Sequence, residues 1–186
     1  MAELKGTGFA SATAALREVA GETAFSRMVP LLPPATQALV NRPPLPMTWV
    51  EAVRFAELLD VAARELLAND ERRAQAAARV AMGNDLRGVY KIFIRLLSPT
   101  YVISRGAKMW DTYQRNNGTV RSESVGERAA EVHFVGISPE LSIPMFWAWQ
   151  RGVLQAIGEA TGIQNVRVDT VSGGGHTNTC VMRASW

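Results

Sequence analysis

Residues 119–135 read Thr119-Val-Arg-Ser-Glu-Ser-Val-Gly126-Glu-Arg-Ala-Ala-Glu-Val-His-Phe-Val135, and this stretch decides the fold. Before it, apolar residues recur at helical spacing. Within it, the period is two. Thr119–Val125 and Ala129–Val135 read as two strands around Gly126. In the second strand Ala130, Val132 and Phe134 share one face, and Glu131 and His133 share the other. Asn116-Asn-Gly118 stops the helix that comes before.

Working outward, Ile143–Ala160 has Phe146, Trp149, Val153, Ile157 and Ala160 on one helical face, and Gly162 ends it. A second ribbon closes the chain. Val166–Val171 is its first strand, Ser172-Gly-Gly-Gly175 its turn, and Thr177–Trp186 its second strand, with Cys180, Met182, Ala184 and Trp186 alternating onto one face. Two hairpins flanking one helix combine into a four-stranded antiparallel sheet with helices packed on it. The fold class is α+β: a helical N-terminal half, then hairpin–helix–hairpin.

The helical half has its own punctuation. Ser11–Ala20 ends at Gly21, a second helix covers Thr23–Val29, and Pro33-Pro34 opens a third at Ala35–Val40. The proline-rich Asn41–Pro46 divides a helical appendage, 1–46, from the main body, 47–186, within one compact unit. Thr48-Trp-Val-Glu51 reads as a capping box for a helix with apolar residues at 55, 58, 59, 62 and 66. Asn69-Asp70 caps the next helix. Asp85 leads into a helix carrying Leu86, Val89, Tyr90, Phe93 and Leu97. Ser98-Pro99 restarts another carrying Val102, Met109, Trp110 and Tyr113.

The 186 residues suit one domain with an adequate core. The single cysteine, Cys180, precludes an internal disulfide and fits a reducing, cytoplasmic compartment. No run of about 18 apolar residues exists to span a membrane. The net charge of +3 is unevenly placed. Residues 71–121 hold ten basic residues against Glu71, Asp85 and Asp111, while the segments on either side are slightly acidic.

The candidate chemistries are few. His133 and His176 are the only histidines, and Glu131 is placed to orient the His133 imidazole, but a shared metal site requires both rings to converge; none is expected. Cys180 has apolar neighbours that raise a thiol pKa, so it reads as a buried inert thiol. The triple glycine before His176 lies between antiparallel strands, not between strand and helix, so it is a hairpin turn and not a nucleotide loop. Arg87, Lys91 and Arg95 form a basic ridge, extended by Arg105 and Lys108, that suits an acidic protein partner. Aromatic residues are not interleaved with it, which argues against nucleic acid. The run Pro144-Met-Phe-Trp-Ala-Trp149 is apolar on more than one face, as in a sandwiched helix, a pocket wall or a homodimer contact.

Several pieces together resemble a bacterial, chiefly myxobacterial, family of unassigned function: Lys5-Gly-Thr7, Leu16-Arg-Glu18 with Gly21, Leu32-Pro-Pro34, Gly88-Val-Tyr90, Leu97-Ser-Pro99, Met109–Tyr113 and the closing alternation to Trp186. The second half also resembles the 4-vinyl reductase-type domains and the TRAPP vesicle-tethering subunits. That resemblance implies helices on a four-stranded sheet, a homodimer, and an apolar cavity without a catalytic residue. The expected function is a non-enzymatic module, free of cofactor, that holds an apolar small molecule between Tyr90, Phe93, Met109, Trp110, Phe146 and Trp149 as a sensor or regulator. The alternative is a dimeric scaffolding domain that uses its basic surface.

Overall fold

The computed structural model describes residues 1–86, 101–102 and 106–186. The expected helix over 85–97 and the Ser98-Pro99 restart lie almost wholly outside these residues. Among the described residues the chain forms seven α-helices and two antiparallel sheets, of three and four strands.

The four-stranded sheet is built as its alternation requires. Strands β4 (Thr119–Gly126) and β5 (Ala129–Val135) pair antiparallel, as do β6 (Arg167–Gly173) and β7 (Thr179–Ser185), and β5 joins β7, so the order is β4-β5-β7-β6. Register is fixed by Val132↔Met182 and Phe134↔Cys180. Val120, Ala130, Val132, Phe134, Val168, Cys180, Met182 and Ala184 are all buried on one face. A slip of one residue would turn that whole set toward water. Entry to β4 needs Gly118. Its φ is +66°, and a Cβ there would lie 2.4 Å from the Val135 carbonyl oxygen.

Helix α7 (Pro144–Ala160) lies over the inner face. Its labelling follows α1 (Gly6–Ala20), α2 (Glu22–Met28), α3 (Pro34–Asn41), α4 (Ala52–Glu65), α5 (Glu71–Asp85) and α6 (Gly106–Tyr113). The apolar excess of its first turns is explained by burial on two sides. Trp147 meets Phe134 of the sheet edge-on at 5.8 Å, and Trp149 meets Phe55 of α4 in the same way at 5.8 Å. Helix α5 packs along the remaining side. Glu71 pairs with Arg151, Gln75 with Gln155 and Arg79 with Glu159, a constant offset of 80 residues, so α5 and α7 run parallel. Gly152 permits the close approach: a Cβ there would lie 2.1 Å from the Gln75 carbonyl oxygen.

The second sheet joins three short, distant segments: β1 (Glu3–Lys5) lies between β2 (Trp49–Glu51) and β3 (Gln114–Arg115). It revises one local expectation. Thr48-Trp-Val-Glu51 is not a capping box. The Thr48 hydroxyl donates to the Leu45 carbonyl, residues 49–51 are extended and paired to β1, and α4 begins only at Ala52. Long-range pairing has overridden a local signal that both outcomes share. By contrast Asp70 caps α5 as expected, accepting from the Arg72 amide at 2.8 Å. The first helix is longer than its Ala-rich segment, and Phe9, Ala12, Ala15 and Leu16 are buried. Among the described residues no helix is long and apolar enough to cross a membrane.

Gly152→Ala should lower unfolding stability by about 1–3 kcal/mol, because the new methyl overlaps the backbone of α5. Urea titration followed by circular dichroism measures it. An unchanged midpoint would mean that α5 and α7 are not in such close contact.

Candidate functional site

The space between sheet and helices is not completely filled. A cavity of about 110 Å³ lies there. Its sheet wall is Val120, Val132 and Phe134, and α7 contributes Trp149, Gln150, Val153, Leu154 and Ile157. Met109, Trp110 and Tyr113 enter from α6, Ser11, Phe55, Ala81, Met82 and Asp85 from α1, α4 and α5, and Leu4, Gly8 and Gln114 also line it. The rings are held in place by edge-on contacts and by one hydrogen bond. Trp110 packs on Phe134 at 5.5 Å, and its indole nitrogen donates to the Asn117 carbonyl at 3.2 Å. Asn117 is itself fixed, its side-chain oxygen accepting from the Ser138 amide.

Of the residues expected to form a pocket, Met109, Trp110 and Trp149 line this cavity. Phe146 does not; it is fully buried against Trp147 at 5.3 Å. Tyr90 and Phe93 lie outside the described residues. Phe55, Tyr113 and Phe134 line it unannounced by the sequence, because a core ring and a cavity ring occupy the same apolar stripe. Of the basic surface, Lys108 is exposed on α6, while Arg87, Lys91, Arg95 and Arg105 fall outside the described residues.

Polar groups at the cavity are few, and Asp85 is the only charged residue among the described ones that line it. The Ser11 hydroxyl donates to its carboxylate. Burial raises the Asp85 carboxyl above the usual carboxylate range, and the Ser11 hydrogen bond opposes that only in part. Gln150 is also buried, at 7% exposure.

The other reactive residues lie elsewhere. His133 is on the opposite, polar face of the sheet, where its Nε2 is 3.0 Å from Glu123 and 3.6 Å from Glu131. The pairing with Glu131 anticipated from their spacing is there, and Glu123 joins it from across the ribbon. These three ligand atoms lie within 4.8 Å of one another. Glu131 is also engaged by Arg183 at 2.6 Å, so the group is satisfied as a hydrogen-bonded ion cluster. His176 is in the exposed β6–β7 turn. Cys180 is fully buried, and its thiol is pushed up to about 11, first by burial, against the smaller opposing effects of Thr170 and Arg151.

Comparison with solved structures places this arrangement. The fold is that of the H-NOX domain. An unliganded Fe(II) H-NOX protein from K. algicida superposes with a TM-score of 0.69 at 8% identity, covering 98% of this chain and 96% of that one. A T. tengcongensis H-NOX superposes with a TM-score of 0.61 at 13% identity, over 97% and 95%. A structure from work on haem distortion in the H-NOX family gives 0.63 at 13% identity, over 98% and 95%. No family model matches the sequence, and no curated protein does.

These findings correct the expected kinship. The matched structures are H-NOX domains, not 4-vinyl reductase-type domains or TRAPP subunits, and no sequence relative supports the myxobacterial family. The reason is physical. Those of the pieces that lie in described residues are helix starts, turns, helical segments and one alternating strand, which any helix-on-sheet domain requires. They specify layers, not lineage.

The residues present do not fit haem. Histidine and cysteine are the usual strong protein donors to haem iron. Neither lines the cavity among the described residues, and residues 87–100 and 103–105 contain neither type. Met82, Asp85, Met109 and Tyr113 are described lining residues with an atom that iron accepts, and none offers a basic nitrogen or a thiolate. The cavity is also well below the roughly 300 Å³ where pockets for drug-sized ligands begin.

Two solution measurements check this chemistry. The folded form binds the Asp85 proton more tightly than the unfolded chain does, so Asp85 stabilises least at high pH, and the loss develops as pH rises from the unfolded carboxylate range through the folded value. Asp85→Asn should therefore raise the melting temperature at pH 7, and the difference from wild type should vanish near pH 3. A destabilised variant at pH 7 would contradict the burial argument. Cys180 should resist iodoacetamide at pH 8 in the native state and react fully in denaturant; rapid native labelling would refute its burial.

Proposed function

We propose that this chain is a non-catalytic binding module that holds a small apolar molecule between sheet and helices and acts as a sensor or regulator. The observation that carries the reading is the aromatic-walled cavity: five rings, from Phe55, Trp110, Tyr113, Phe134 and Trp149, surround space that core packing leaves open. Empty volume forfeits dispersion contacts and lowers stability. A cavity kept beside otherwise tight packing is economically explained by an occupant. An apolar cavity of comparable size, about 150 Å³, is known to stay dry and to bind benzene. The H-NOX structures with the same fold include work on haem redox potential and porphyrin distortion, so this architecture accommodates a ligand in at least some of its members. In this chain the ligand is smaller and is not held by iron.

Trp110 and Trp149 report occupancy directly. Toluene should change their fluorescence saturably and raise the melting temperature of the wild-type protein. Ala81→Leu, which extends a side chain into the cavity, should weaken toluene binding by about tenfold or more while the fold is retained. Equal toluene binding by wild type and the filled variant would refute the reading.

A further inference from the structure

We infer that the cavity selects a small organic amine: an apolar body of about one ring surrounded by aromatic side chains, with its ammonium group paired to Asp85. This rests on the binding reading above and adds the chemical class of the ligand. Three observations converge. First, a carboxylate stands on the wall of an otherwise apolar space, and no cation pairs with it among the described residues. Its one hydrogen bond, from the Ser11 hydroxyl, occupies part of the carboxylate and fixes its direction. Acceptor capacity remains for a second donor. Second, the walls are rich in aromatic side chains, and the negative π surface of such a ring attracts an ammonium ion more than a neutral polar group. Third, the Gln150 side chain on the α7 wall adds a second polar group to the same space.

The alternatives fit less well. A carboxylic acid or phosphate would meet Asp85 as a like charge. A purely apolar ligand would leave Asp85 facing it without compensation, at a cost in desolvation. An ammonium satisfies the carboxylate with a charge-assisted hydrogen bond, which is about twice as strong as a neutral one. The cavity volume of about 110 Å³ limits the body to a single ring or a short alkyl chain.

Isothermal titration of the full chain with benzylamine, benzyl alcohol and toluene at pH 7 tests this, since the three share a ring and differ in the head group. Benzylamine should bind about tenfold tighter than either neutral compound. Asp85→Asn should erase that preference and keep toluene binding, which also shows that the variant is folded. If the three bind wild type equally, or the alcohol binds best, or Asp85→Asn keeps the amine preference, the amine assignment is overturned while the cavity reading stands. If none binds, both fall.

Discussion

The packing of helix α7 against the sheet, α4 and α5 is the constraint on which the rest of the molecule depends. A helix carrying Phe146, Trp147 and Trp149 within about one turn points large apolar side chains in several directions and must cover each of them. The sheet takes Trp147, α4 takes Trp149, and α5 lies along the third side at a distance that only Gly152 allows. The ion pairs along the α5–α7 seam are solvent-exposed and add little energy. Their value is in setting register, because the same offset of 80 residues recurs from Glu71 to Arg79.

The cavity follows from that arrangement. Large rings set at steep angles to one another fill space unevenly, and the T-shaped pairs Trp110–Phe134 and Phe55–Trp149 hold opposite walls in place. The indole of Trp110 is pinned by Asn117, which also ties the loop after β5 through Ser138. The walls therefore cannot collapse inward without breaking buried hydrogen bonds. Among the described residues that line this partly open cavity, Asp85 is the one carboxylate. The one thiol of the chain is fully buried and raised to about 11, and His133 is engaged by carboxylates on the far face of the sheet.

Much of this architecture was legible in the sequence, for a specific reason. Strands β5 and β7 have seven residues each and a half-buried face, so their period-two alternation is unmistakable, and the helix between them has a length no strand reaches. The three-stranded sheet was not legible. Strands of two or three residues carry no periodicity, and β1, β2 and β3 are brought together only by the tertiary fold. Thr48 and Glu51 illustrate the difficulty, since their spacing satisfies a capping pattern while the backbone between them is extended. The site was half legible. Met109, Trp110 and Trp149 could be placed near a sheet–helix interface by pattern, but pattern does not separate Trp149, which lines the cavity, from Phe146, which fills the core beside it. Asp85 did leave a signal: it is an acidic residue at the end of an Ala-rich helix, in a segment that is otherwise strongly basic.

The chain shares the fold of H-NOX domains at 8–13% identity, and among the described residues that line its cavity there is no histidine or cysteine. The central feature is an apolar cavity whose lining includes Trp110, Phe134 and Trp149. A crystal structure determined under xenon pressure addresses that void directly, because xenon enters dry apolar cavities and scatters strongly. One xenon atom bound among those three rings is the result the account predicts. Solid packing at that position, with no xenon between sheet and helices, would contradict it.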